Sequence, residues 1–187
     1  MKFEHLMASN TFIRPLPGTV AQILDELQKT EPDFRALTAV CQVPGVNLAE
    51  FWRHSLEVAK TAQSLADSMR LDKNLAFVAG LVHGVGDLAM KLAMPDHPCM
   101  QPEFSADSNR HAHQKAELGY SYADVGAALA TQWRFPQEIV YAVLHHPDPQ
   151  DDVAADSLAG SLYLASWGAR AYDLGLDTPS MREPYAN

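Results

Sequence analysis

Between Leu48 and Met69 the apolar side chains return at the roughly 3.6-residue period of an α-helix, and no strand register gathers them on one face. At about 100° per residue, Phe51, Trp52, Leu56, Val58, Ala59, Ala62, Leu65, Ala66 and Met69 share one broad arc. Arg53, Glu57, Lys60, Ser64, Asp67 and Ser68 take the opposite arc, and Asn47 supplies a cap. His54 falls at the edge of the apolar arc beside Val58 and Leu65, where a residue lining an internal cavity would sit.

The helical period recurs along most of the chain, whereas alternating in-out runs are short and broken by Ala and Gly. Thr19 caps a first helix over 20–29, and a second short one runs from Asp33 to Cys41 before Pro44-Gly45. Asp72 caps a helix from Lys73 to Val85 that is apolar almost all round and therefore central. Gly80, Gly84 and Gly86 weaken it locally, which close helix packing or a bend would explain. An amphipathic piece follows at Asp87 to Ala93, and the pattern vanishes from Pro95 to Asn109, a long loop. Ser121 caps a helix through Trp133, Pro136 opens one through His146, and the last runs from Ala154 to Tyr172. The count is about eight helices, hence an all-α chain, with an N-terminal helical region at 1–47, a helical core at 48–173 and a polar tail at 174–187.

The net charge of −9 argues against nucleic acid as the main partner, since a phosphate backbone asks for a concentrated basic surface. A small nucleotide needs only one or two basic side chains and stays open. Cys41 and Cys99 form no CxxC and no Cys–His zinc spacing, and read as reduced thiols of a cytoplasmic protein. No stretch is apolar enough for a signal peptide or a membrane span, so no membrane contact is expected.

Four of the eight histidines sit where chemistry is conceivable: His54, His83, His145 and His146. Helix packing that brought them around one cavity would offer imidazoles to Zn, Fe, Mn or Ni, and a metal there would suit hydrolysis of phosphate esters. Against this, a helical histidine is commonly a satisfied structural residue, and a His pair ends a helix well by complementing its dipole. No HExxH or Cys-His finger decides between the two. Arg110, His111 and His113 read as a solvated loop edge rather than a phosphate patch.

The ordered segments Phe51-Trp52-Arg53-His54-Ser55, Ala76 to Gly86, Tyr122 to Leu129, Gln132 to Pro136, Ile139 to His146 and Leu162 to Ala165 resemble the HDOD family. These are HD-related output domains of bacterial signalling proteins. The resemblance covers about residues 48 to 170 and implies a single HD-like helical domain whose N-terminal helical region is shortened. It matches the first metal-binding His of the HD pattern with His54 and the His of the HD pair with His83. The Asp of that pair is Gly84, an intermediate His falls on Tyr122, a following His pair matches His145 and His146, and the final Asp falls near Ser166. Both carboxylates are missing from the set. Asp87, beyond His83 on a continuous helix, is a substitute or outer-sphere group, or else solvated near a glycine bend. Tyr122 is expected to fill volume that a metal site would occupy, with its hydroxyl on a nearby His.

The resemblance implies a non-catalytic regulatory module, acting through a protein partner or self-association and without a cofactor. Two alternatives stand beside it. One is a phosphohydrolase acting on nucleotides or phosphodiesters with a divalent Fe, Zn, Mn or Ni in a rearranged site. The other is a sensor that binds a nucleotide without cleaving it.

Overall fold

The structure is a computed structural model that describes residues 46–100, 109–149 and 157–173. Among these residues there are seven α-helices, one 3-10 turn and no strand. In order they are α1 (Leu48–Ser68), α2 (Lys73–Val82), α3 (Val85–Ala93), the turn Pro98–Met100, α4 (Arg110–Leu118), α5 (Tyr122–Gln132), α6 (Gln137–His145) and α7 (Leu158–Asp173). The two helices expected before Asn47 lie outside the described residues, as do Ala154 and the tail beyond Asp173.

Capping fixes where the first helices start. Asn47 Oδ1 accepts the Glu50 amide at 3.2 Å, and Asp72 Oδ1 accepts the amides of Asn74 and Leu75 at 2.8 and 3.1 Å. The amphipathic reading of α1 holds residue by residue. Trp52, Leu56, Val58, Ala59, Ala62 and Ala66 are buried, while Arg53, Glu57, Lys60, Ser64, Asp67 and Ser68 are exposed.

Every residue from Ala79 to Met90 is buried, so α2 and α3 form the centre of the domain. Helix α2 packs against α1, α6 and α7, while α3 packs against α5. Glycine makes both approaches close. A Cβ on Gly80 would meet the main chain of Ala59, 2.8 Å from its nitrogen. One on Gly86 would press on the Tyr122 carbonyl and stand 2.6 Å from the Gly126 amide nitrogen. Close helix packing, one of the two explanations offered by the sequence, accounts for both.

The helix expected from Lys73 to Val85 stops earlier, at Val82. The chain turns at His83 and Gly84, and the separate piece expected from Asp87 begins at Val85. The amides of Asp87 and Leu88 both bond to the Gly84 carbonyl. Asp87 therefore does not follow His83 along one continuous helix.

Helix α4 has no counterpart in the periodicity, because it has almost no apolar stripe. Gln114 is its one fully buried residue, and Ala112, His113, Lys115, Ala116 and Glu117 are exposed. It ends on Gly119 at φ 80°, the left-handed conformation that glycine adopts without strain.

Candidate functional site: a histidine cluster beside a buried ion pair

Three imidazoles from three parts of the chain meet in the core. His54 comes from α1, His83 from the turn after α2, and His146 from the end of α6. The His54 and His83 ring centres are 6.1 Å apart, and those of His83 and His146 are 5.6 Å apart, edge to face. His83 Nδ1 donates to the Gly80 carbonyl at 2.6 Å, and His146 Nδ1 to the Val143 carbonyl at 2.8 Å. A carbonyl can only accept, so each Nδ1 carries the proton and each Nε2 presents a lone pair. The Tyr122 hydroxyl stands 3.5 Å from His146 Nε2 and donates to it.

Burial sets the charge of this cluster. It drives His83 down to about 3, helped by repulsion from His146 and opposed by the Gly80 bond. It drives His146 down to about 4, opposed by the Val143 bond and helped by the charge of Arg110. Both rings are neutral at neutral pH.

The other residues singled out by the sequence divide clearly. His145 does not join the cluster; its ring stacks at 4.2 Å on Tyr141, which is half exposed. One residue of the His pair thus points into the cluster, while the other is partly buried and packs on Tyr141. Ser166 Oγ donates to the Tyr163 carbonyl of its own helix at 3.4 Å. At Gly84 the ring of Phe51 fills the space that a side chain would need, since a Cβ there would stand 2.9 Å from Phe51 Cε2.

Asp87 is neither solvated nor turned to the histidines. It is 8% exposed, and its two oxygens are bonded to Arg110 Nη1 at 3.1 Å and Lys91 Nζ at 3.0 Å. The Arg110 guanidinium lies 4.1 Å above the Tyr122 ring, a cation–π contact that links the ion pair to the tyrosine of the cluster. Burial opposes its charge, but the Asp87 carboxylate and Tyr122 outweigh burial and hold Arg110 above its usual range. The solvated-edge reading of Arg110 is thereby corrected.

Sequence reasoning missed Lys91 and Gln114 as site residues, and weighed Arg110 as a phosphate patch only to prefer a solvated loop edge. A signal was present: Asn109 and Gly119 bracket a helix-length stretch, and Arg110 and Gln114 stand four apart on one face of it. Gln114 Oε1 accepts the Tyr122 amide at 2.8 Å and so holds the start of α5. Asp124 completes that end, accepting the amide and hydroxyl of Ser121 at 2.8 and 2.6 Å.

For a divalent metal the fit is poor. Among the described residues no three His, Cys, Asp or Glu side chains converge closely enough to hold an ion. The Asp87 oxygens are both engaged, and Phe51 occupies the place beside Gly84.

The sequence profile of the HDOD domain matches residues 34–149. The chain belongs to the HDOD family. Among curated proteins this HDOD chain is 30% identical over 131 residues to ribonuclease Y of Thermus thermophilus, an alignment that takes in 70% of the chain but 18% of the relative. Among solved structures, a candidate phosphohydrolase from Shewanella amazonensis SB2B superposes with a TM-score of 0.63 at 21% identity, covering 89% of this chain and 82% of that one. The MmoQ response regulator of Methylococcus capsulatus superposes with a TM-score of 0.61 at 21% identity, covering 95% and 82%. At such identities the shared property is the helical fold. No helix among the described residues is long and apolar enough to cross a membrane.

Proposed function

We propose that this HDOD domain is a regulatory module in bacterial signal transduction that acts through protein contacts, and that its histidine cluster is a degenerate metal site without hydrolytic activity. One observation carries the reading. At Gly84, where the HD pattern asks for a carboxylate, there is no side chain, and the Phe51 ring has taken the room. Neutral imidazoles alone offer a hard divalent cation no compensating charge. Membership of the HDOD family and the fold shared with a response regulator support the signalling part.

The test is turnover. The purified protein is incubated with a chromogenic phosphodiester and with nucleoside phosphates, in the presence of Mn²⁺, Fe²⁺, Zn²⁺ or Ni²⁺. Product formation at the buffer rate, identical in wild type and His83→Ala, is the expected result. Turnover that disappears in His83→Ala would establish the enzyme instead.

A further inference from the structure

Among the described residues, the charges around Asp87 do not balance. Arg110 and Lys91 bring two positive charges to one carboxylate, and their side chains are only 12% and 23% exposed. The result is one excess positive charge, largely removed from water, where uncompensated charge is costly.

Among the described residues, donors are also left over. Arg110 uses Nη1 on Asp87, while its Nε–H is buried with no hydrogen-bond partner. One turn along the same face of α4, Gln114 uses its oxygen on the Tyr122 amide, while its amide nitrogen is buried without a partner as well. Buried donors without acceptors are rare in native proteins and call for a specific explanation, such as an ion. Excess positive charge and unused N–H groups on two neighbouring side chains call for the same thing, an anion rich in acceptor oxygens.

We propose that Arg110, Lys91 and Gln114 form a binding site for a phosphate-bearing anion. A carboxylate fits less well, because Asp87 already supplies one and leaves the donors unused. A phosphate group carries roughly −1.5 to −2 at neutral pH and presents three strong acceptor oxygens, enough to meet a guanidinium edge, an amide and an ammonium together. Arg110 is held over the Tyr122 ring and on Asp87, so its fork is fixed before the ligand arrives. The site is separate from the histidine cluster and goes beyond the regulatory reading, since it stands whether or not that cluster takes a metal.

Isothermal titration calorimetry with inorganic phosphate, pyrophosphate and adenosine monophosphate, at matched ionic strength in chloride, tests the proposal. The wild type is expected to bind at least one of them saturably. Arg110→Met and Lys91→Met each bring the local charge to zero, and each should weaken binding about tenfold. Asp87→Asn removes the competing carboxylate and should strengthen binding by a similar factor, an opposite sign that a merely structural role would not produce. Equal affinity for phosphate and the nucleotide would assign recognition to the phosphate alone, and tighter nucleotide binding would add the nucleoside to the ligand. Circular dichroism confirms that each variant is folded, and Lys91→Met carries the test if Arg110→Met is not. Absence of saturable heat with all three probes, or wild-type affinity in the folded charge-neutral variants, would overturn the proposal.

Discussion

Gly86→Ala is expected to destabilise the domain by at least about 3 kcal/mol. The new Cβ would press on the Tyr122 carbonyl and stand 2.6 Å from the Gly126 amide nitrogen. Both contacts are main chain, so no rotamer change relieves them. The α5 backbone cannot retreat easily either, because Gln114 holds the Tyr122 amide and Asp124 holds Ser121. The only relief is to part α3 from α5, and that opens the core where Leu88, Met90 and Leu129 are fully buried. Gly84→Ala is the informative comparison. There the obstacle is the edge of the Phe51 ring, a side chain that can rotate, so the loss should be smaller. Urea denaturation of both variants checks the order. A Gly86→Ala loss below about 1 kcal/mol would mean that the α3–α5 contact is looser than described.

The second large effect is acid sensitivity. An unfolded histidine takes up its proton near pH 6.5, but folded His83 and His146 do so only near 3 and 4. Their folded values are depressed, so the unfolded chain holds more protons throughout that interval. Stability is complete above pH 6.5 and falls as the pH drops from there toward 4. When both unfolded rings are protonated the slope approaches about 2.7 kcal/mol per pH unit. By pH 5 the loss comes to about 4 kcal/mol, most of the stability of a domain at the lower end of the usual range of roughly 5–15 kcal/mol. Urea midpoints measured at pH 8, 6 and 5 should decline in that order, and His83→Leu should cut the slope by about half. Midpoints independent of pH would show that the rings are hydrated in the native state.

How much of this was legible beforehand follows from what each element buries. Helix α1 announced itself because it is half in water, and each polar residue on its outer arc is a mark of phase. Helices α2 and α3 gave a weaker signal: a mostly buried stretch has little phase, so the glycines pointed to a bend but not to its place at His83 and Gly84. Helix α4 gave only the bracketing Asn109 and Gly119. Its inner face is Arg110 and Gln114, and polar residues bonded to buried partners look in sequence like residues that face solvent. The same blindness affected Asp87, whose two cationic partners lie four and twenty-three residues away. At the candidate site, His54, His83, His146 and Tyr122 were found from the resemblance to the HD pattern, and the structure brings them together. His145 was included because an adjacent pair on a helix cannot be told apart without knowing which side is core. The role of Phe51 beside Gly84 was invisible, because a missing side chain says nothing of what fills its place.

The central claim is that the cluster holds no catalytic metal, and metal content tests it most directly. The untagged protein and a His54→Ala/His83→Ala variant would be supplied with Fe, Mn, Zn and Ni, desalted, and analysed by inductively coupled plasma mass spectrometry. The account predicts far less than one metal per chain and the same level in both proteins. Near-stoichiometric metal in the wild type that vanishes in the variant would contradict it and return the histidine cluster to the phosphohydrolases.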